Sequence, residues 1–510
     1  MPTEWSDGYV AEINYVHGFY RELSPGFLAL GALAATQSAP DPTQPLHYCE
    51  LGCGQGLTTN LLAAVSPHIQ FYANDFNPSQ IAGARALAAE AGITNVHFMD
   101  SSFAEMAERT DLPDFDIIVL HGIYSWVSAE NRQAIVRFIA RRLKVGGLVY
   151  ISYNSLPGWA ALMPLRRLLV DNADLGNVPI LKRIDQALKA ADALAQVNAR
   201  YFANNPGTGD RLKEIATKAR SYIAHEYFNR EWTPFYHADV VSELSAAKLT
   251  WIAPARPFEG IENLIFTPEQ LGLLAGVEPA SRREGIKDYI LNQQFRRDLF
   301  VKGPLPLQAV DADARWKNTS FILSAPISNP LDATLTTPLG QIGVTAEGYL
   351  PLMDRLAKGP VTGDELAASF PHLPLRQICQ ALSILVSLAY AHPCVPLELA
   401  TAARSSTDRF NRAVLARSRL SGDIGYLASP LIGSALAIDQ MNQMLLSAFL
   451  EGGGVDAVGV VWAHMRSRQQ RLVRNGQMLM EEEDNLAELR QRFDNLVTNI
   501  VPSLKNLWVV

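Results

Sequence analysis

Four cysteines in 510 residues, at positions 49, 53, 379 and 394, are too few and too scattered for a disulfide framework or a structural zinc set. Long apolar runs are missing as well. The longest, Ala381–Ala391, has the length of a core helix and falls short of the ~20 residues that cross a bilayer. Met1-Pro2-Thr3-Glu4-Trp5 offers neither a basic start nor an apolar run, so no signal peptide is expected and a reducing cytoplasm is the expected location. Positive charge is in deficit: 44 Lys and Arg stand against 51 Asp and Glu, a net charge of −7, which leaves no electrostatic footprint for nucleic acid. No His or Cys pair stands at ligand spacing near the site argued below, so no metal is expected. What is present, 48% hydrophobic and 19% charged residues, describes a globular chain able to bury sizeable cores. Its length implies about two to four domains.

Residues 1–35 read as two helices, the second opening at Ser24-Pro25, and Thr36–Pro45 reads as a linker. Short runs rich in β-branched and aromatic residues then alternate with helix-length segments: Leu46–Leu51, Ile69–Ala73, Val96–Met99, Phe115–Leu120 and Leu148–Ser152. That alternation predicts an α/β fold with a parallel sheet covered on both faces. Asn77-Pro78 and Ser128 mark helix starts. Ala160 to Tyr222 is helical in pattern; Asp239–Leu249 is a helix and Thr250–Ala253 a strand that rejoins the sheet. The sheet is therefore expected to close by about residue 270, with 270–310 helical again. Past a Pro- and Ser-rich stretch, Leu323–Pro338, three short helices at Tyr349–Lys358, Gly363–Phe370 and Leu375–Tyr390 suggest a winged-helix-like module. Residues 401–510 are mainly helical, the last helix placing Leu486, Leu489, Phe493, Leu496 and Ile500 on one face.

The sharpest signal is Glu50-Leu51-Gly52-Cys53-Gly54-Gln55-Gly56, where a predicted strand meets a predicted helix. Glycines there let the backbone turn sharply and approach a ligand, with helix N–H groups facing it. A dinucleotide site is the competitor. Two details favour S-adenosyl-L-methionine: the spacing is G-x-G-x-G, and Glu50 would repel a pyrophosphate but suits the ammonium of a methionyl group. Asp75 would then accept hydrogen bonds from both ribose hydroxyls, Phe76 would pack on the adenine, and Asp100-Ser101 would reach the adenine amino group. The expected cofactor-binding set is Glu50, Gly52, Gly54, Gln55, Gly56, Asp75, Phe76, Asp100, Ser101, His121 and Gly122.

Two further motifs carry a resemblance. His121-Gly122-Ile123-Tyr124-Ser125-Trp126-Val127 follows the fourth strand, and Ser152-Tyr153-Asn154-Ser155-Leu156-Pro157-Gly158-Trp159 follows the fifth. With His225-Glu226-Tyr227-Phe228-Asn229, Trp232-Thr233-Pro234-Phe235-Tyr236 and Phe295-Arg296-Arg297-Asp298, they resemble bacterial class I methyltransferases that carry a methyltransferase regulatory region. The resemblance spans about residues 5–400. It implies a Rossmann-like catalytic domain with helical and winged-helix accessory domains, a homodimer, and lysine methylation of protein, as in relatives that modify outer-membrane proteins. The domains expected are an N-terminal helical lid and linker (1–45), the S-adenosylmethionine-binding core (46–160), a helical insertion (161–235), the end of the sheet (236–270), a helical regulatory region (271–330), the winged-helix-like module (331–400) and a helical C-terminal region (401–510).

Ligands in open α/β sheets sit beyond the carboxyl ends of the strands. There Tyr124 and Tyr153 are the expected catalytic residues, flanking the entering amine, and Tyr15, Tyr20, Trp126, Asn154 and Trp159 the expected acceptor pocket. Methyl transfer needs a positioned, uncharged nucleophile, and burial beside aromatic faces favours a neutral lysine amine. Tyr9, Tyr15, His17 and Tyr20 would form a lid. His225 and Glu226, adjacent on a helix, do not face one another and read as structural. The winged-helix-like module holds Arg355, Lys358 and Arg376 against Asp332, Glu347, Asp354, Asp364, Glu365 and Glu398, too acidic to neutralise DNA phosphates, and reads as a protein-contact element. A small-molecule methyltransferase and an S-adenosylmethionine-responsive regulatory protein are the alternatives.

Overall fold

The computed structural model describes residues 16–173, 178–325, 334–337, 340–343, 346–452, 456–474 and 476–510. Tyr9 and Tyr15, expected in the lid and pocket, lie outside them. The first described α-helix, α1 (Pro25–Ala34), opens on Ser24-Pro25 as the sequence predicts. Five strands and the helices between them follow: β1 (His47–Leu51), α2 (Leu57–Val65), β2 (Gln70–Asp75), α3 (Pro78–Ala91), β3 (Val96–Asp100), α4 (Phe103–Glu108), β4 (Phe115–Leu120), α5 (Ala129–Arg142) and β5 (Leu143–Asn154). Local chemistry sets the helix starts. The Asn77 side chain accepts from the Ser79 N–H ahead of Pro78, and Ser128 Oγ accepts from the Asn131 N–H.

Five helices form the insertion: α6 (Met163–Ala173), α7 (Ile180–Gln196), α8 (Arg200–Asn204), α9 (Thr208–Thr217) and α10 (Arg220–Tyr227). The chain then returns through α11 (His237–Ser245) and β6 (Leu249–Pro254) to α12 (Pro268–Ala275), α13 (Ala280–Leu291) and β7 (Phe295–Lys302). These strands make one seven-stranded sheet in the order β3-β2-β1-β4-β5-β7-β6. β1 to β5 run parallel, and β7 is antiparallel to both its neighbours. Both β2 and β4 flank β1, so the strand order reverses at β1, and a crevice opens beyond its carboxyl end.

β7 corrects the reading of 270–310 as helical and of a sheet complete by residue 270. The strand lies between β5 and β6, so β6 reaches the sheet only through it. Its charges, Arg296, Arg297 and Asp298, look like a solvated helix in the sequence. In the fold Arg296 and Asp298 are 7% and 0% exposed and ionically paired. Asp298 Oδ2 accepts from the Tyr153 hydroxyl (2.6 Å) and Arg296 Nε (2.8 Å), while Oδ1 accepts from Trp251 Nε1 (3.0 Å). Arg296 also reaches Asp288 (2.6 Å) and Glu284 (3.1 Å) on α13. Burial opposes ionisation of Asp298, but Arg296 and His237 outweigh it and hold the carboxyl far below the usual range.

Beyond α14 (Ala309–Asn318), β8 (Ser320–Leu323) pairs with β11 (Val361–Thr362) and β12 (Ala391–Pro393) in a small antiparallel sheet; β9 (Thr334–Thr337) and β10 (Gly340–Gly343) form a hairpin. The helices of this module are α15 (Ala346–Ala357), α16 (Gly363–Ser369) and α17 (Leu375–Ser387). Because β8 belongs to its sheet, the module begins before the expected boundary at 331. Arg21 ties it to the N-terminal segment by donating to the carbonyls of Val386 (2.8 Å) and Ser387 (2.6 Å).

α18 (Leu397–Ser418) lies along α2 and α3, with Arg417 paired to Glu90 (2.6 Å) and Ser406 Oγ donating to the Ala64 carbonyl (2.5 Å). It covers α2, all nine of whose residues are buried. The C-terminal region thus completes the same core as the sheet, and Leu489 and Leu496, on the apolar face the sequence predicts, are fully buried in it. Replacing Asp298 leaves Arg296 buried without its main counter-charge, so Asp298→Ala is expected to cost about 3–5 kcal/mol of stability. Urea unfolding of the full chain checks this, and a loss under ~1 kcal/mol would show the network to be dispensable.

Candidate active site

The loop after β1 has Gly52, Gly54 and Gly56 at φ of +74°, +54° and +65°. At Gly56 a Cβ would stand 2.6 Å from Ala84 Cβ and 2.8 Å from the Phe98 ring, so glycine is needed for conformation and space together. The N–H groups of Gly52 and Cys53 both donate to the Asn74 carbonyl at 2.9 Å. Asp75 closes the turn, accepting from the Gly54 N–H on Oδ2 and from the Asn77 N–H on Oδ1, each at 2.9 Å.

This loop floors a cavity of about 270 Å³. Asp75 and Phe76 stand at one side with Ser101–Ala104, and His121–Ile123 and Trp126–Ser128 at the other. Val16, Gly18, Tyr20, Gln80, Asn131 and Glu231 also line the cavity. The Tyr20 N–H donates to Thr58 Oγ1 (3.4 Å), and Thr58 Oγ1 donates to the Gly18 carbonyl (3.1 Å), which fastens residues 18–20 across the start of α2.

The electrostatics of the wall are one-signed. Among the described residues it carries three carboxylates, Glu50, Asp75 and Glu231, and neither lysine nor arginine. Burial pushes Glu50 up to about 7, against the hydrogen bond it accepts from Thr59 and with the help of Asp75. Burial also raises Asp75 to about 6, against the N–H groups of Asn77 and Gly54. His121 goes the other way: burial, with Arg297 behind it, lowers it to about 3, so its ring is neutral. Its Nδ1 lies 2.8 Å from the Tyr150 hydroxyl, and its ring lies 3.8 Å from that of Tyr20, centroid to centroid. No group of three or more His, Cys, Asp or Glu suited to a metal occurs among the described residues.

Of the residues expected from the sequence, Tyr20, Glu50, Gly52, Gly54, Gln55, Gly56, Asp75, Phe76, Ser101, His121, Gly122 and Trp126 meet on this wall. Five do not, and their placement is corrected here. Asp100 ends β3 exposed, off the wall. Ser152 Oγ accepts from the Gly122 N–H (2.8 Å) on the cavity side; strand alternation therefore sends the Tyr153 side chain to the other face, onto Asp298. Tyr124 is fully buried in a 3₁₀ turn, its hydroxyl donating to Glu243, which pairs with Arg132 (3.4 Å). Burial and Glu243 push the Tyr124 hydroxyl well above the usual phenol range, and burial and Asp298 do the same for Tyr153. Asn154 donates its backbone N–H to Ser125 Oγ (2.9 Å). Trp159 reaches the cavity only through intermediaries, its ring 5.1 Å from that of Trp232, which is 6.3 Å from that of Trp126.

Glu231 was not legible as a site residue, being at least a hundred residues downstream of the other wall positions. Its sequence signal is an acid set directly before the aromatic run Trp232-Thr233-Pro234-Phe235-Tyr236. The Thr233 N–H donates to the Ser125 carbonyl (2.8 Å) and the Phe235 N–H to the Asn154 carbonyl (2.9 Å), pinning the segment across the ends of the strands.

Comparison with known proteins matches residues 43–220 to a methyltransferase domain and residues 219–302 to a predicted methyltransferase regulatory domain. The uncharacterized protein sll1526 of Synechocystis sp. is 40% identical over 507 residues, covering 99% of each chain. The uncharacterized protein RP028 of Rickettsia prowazekii is 30% identical over 199 residues, 39% of this chain and 78% of its own. The structure of PKMT2 from Rickettsia typhi, solved in complex with AdoHcy, superposes with a TM-score of 0.70 at 19% identity, covering 97% of this chain and 100% of that one, a likeness of fold.

Gly56→Val should force α2 away from Ala84 and Phe98 and distort the floor. Affinity for S-adenosylhomocysteine, measured by calorimetry, is expected to fall at least about tenfold, with a lower melting temperature. Wild-type affinity would show that the loop can relax without altering the cavity.

Proposed function

The chain belongs to the class I S-adenosylmethionine-dependent methyltransferases that carry a methyltransferase regulatory domain, and we propose that its acceptor is a lysine side chain of a protein. The observation that carries this reading is the wall of three carboxylates without, among the described residues, a lysine or arginine. Such a wall favours two cationic reactants and disfavours a carboxylate or phosphate acceptor.

S-adenosyl-L-methionine, when bound, supplies a methyl group made electrophilic by a sulfonium and carries an ammonium at its methionyl end. Glu50 receives that ammonium, whose charge compensates the carboxylate that burial otherwise disfavours. Asp75 takes the ribose hydroxyls with lone pairs not used by Gly54 and Asn77. Phe76 and Ile123 hold the adenine between apolar faces, and Ser101 meets its edge. His121, neutral and packed against the Tyr20 ring, excludes water beside the sulfonium without repelling it. A lysine side chain reaches the wall as an ammonium, about 10.4 in water, and must release its proton to solvent before its nitrogen attacks the methyl; the low-dielectric surroundings of Trp126 and Val127 favour that loss.

The reading is tested by incubating a bacterial lysate with methyl-labelled S-adenosylmethionine and hydrolysing the protein fraction. Label in methyl-lysine is expected; label confined to small molecules would overturn the lysine assignment. The donor site has its own pH signature. Glu50 titrates at about 7 in the free protein, and the ligand's ammonium lowers that value, so binding is strongest above pH 7. As pH falls through 7, S-adenosylhomocysteine affinity should drop by up to about tenfold per unit. Glu50→Gln should flatten that profile, and a flat wild-type profile between pH 5.5 and 8 would remove Glu50 from the ammonium site.

A further inference from the structure

We infer that Glu231, supplied by the regulatory domain, is the acceptor-binding residue that receives the ammonium of the incoming side chain, a reading that rests on the lysine assignment above. Glu231 lies inside the region matched to the regulatory domain, residues 219–302, yet it lines the same cavity as the glycine loop. Two observations separate it from the donor's residues. Glu50 and Asp75 sit at the ends of β1 and β2, beside the glycine loop, whereas Glu231 comes from a distant segment and shares the wall with Trp126, after β4. Among the described residues Glu231 makes no hydrogen bond or ion pair, in contrast to Glu50, held by Thr59, and Asp75, held by two backbone N–H groups. A part-buried carboxylate on a cavity wall without a partner is unspent charge.

The surroundings select the chemistry of what completes it. Trp126 lines the same cavity as Glu231, and the ring of Trp232, next to Glu231 in the chain, lies 6.3 Å from the Trp126 ring. Indole faces next to a carboxylate recognise an alkylammonium: the rings attract the cation and pack its methylene stem, and the carboxylate fixes the charged end. The segment is built to hold position. Thr233 and Phe235 bind the backbone at Ser125 and Asn154, and the Arg166 guanidinium covers the Trp232 ring at 4.5 Å while donating to the Asn229 carbonyl. The regulatory domain on this account contributes substrate recognition directly, and its displacement would remove the acceptor site while leaving the glycine loop intact.

The test uses the full-length chain saturated with S-adenosylhomocysteine and a synthetic peptide of alternating glycine and lysine, binding being followed by tryptophan fluorescence. Glu231→Gln is expected to weaken peptide binding about tenfold, Glu231→Asp to recover part of it, and both to leave S-adenosylhomocysteine affinity within about twofold of wild type. In methyl transfer to the same peptide the loss should appear in KM, with kcat at saturating peptide much less affected. Equal peptide affinity in wild type and Glu231→Gln would overturn the assignment of Glu231 while leaving lysine methylation intact. A wild-type chain that transfers no methyl to lysine, in peptide or lysate protein, would overturn the lysine reading and this inference together. A fall in S-adenosylhomocysteine affinity matching that for peptide would place Glu231 at the donor instead.

Discussion

Asp298 is a carboxylate with no exposure, and four side chains from other positions converge on it: Tyr153 from β5, Arg296 beside it on β7, Trp251 from β6 and His237 from α11. An ion in that setting is tolerable only when every lone pair is used, which makes the arrangement all-or-none. Its consequence is architectural. The hub locks β7 against β5 and brings β6 with it, so the sheet that supports the cavity is completed by residues of the regulatory domain. The same link explains how that domain reaches the site. Downstream of α10 the chain must return to α11 across the ends of β4 and β5, and that crossing carries Glu231 onto the wall.

The cavity shows the opposite use of burial. Around Asp298 burial is compensated by Arg296 within the protein, whereas around Glu50 and Asp75 it is not, and both carboxyls are pushed up toward neutrality. Charge kept under-compensated in a folded chain favours an outside cation, and a donor with a sulfonium and an ammonium supplies it. His121 fits the same pattern, since a charged imidazole there would cancel the preference that the carboxylates create. Donor recognition, and on the proposed reading selectivity for a cationic acceptor, thus follow from one feature, a low-dielectric pocket of a single sign.

The C-terminal region contributes by cover rather than by contact with the site. α2 rises directly from the glycine loop, and a helix with every residue buried cannot face water on its outer side. α18 supplies that missing partner through Arg417–Glu90 and the hydroxyls of Ser406 and Thr407 at the Ala64 carbonyl. The position of the loop beneath the ligand therefore depends on helices more than three hundred residues away in the chain.

Much was determined by sequence alone, wherever a physical requirement is local. β1 to β5 announce themselves by β-branched and aromatic runs, the α3 and α5 starts by Asn77-Pro78 and Ser128, and the floor by glycines that only a left-handed turn demands. Eleven of the twelve expected residues that meet on one wall stand at or just after a strand end, and strand ends of a parallel sheet share an edge; Tyr20 alone comes from the segment before the sheet. Tertiary structure decided the rest. Arg296 and Asp298 read as solvent-exposed until each is seen to be the other's counter-ion, and that pairing lets 295–302 lie as an interior strand between β5 and β6. Tyr124 and Tyr153 stand at the right sequence positions for an acceptor pocket, but pleat and turn direct them to Glu243 and Asp298 instead. Glu231 joins the wall only because the chain crosses back over β5. Periodicity reports what a residue needs from its neighbours along the chain; which distant charge satisfies it, and on which face, is settled only when the sheet closes.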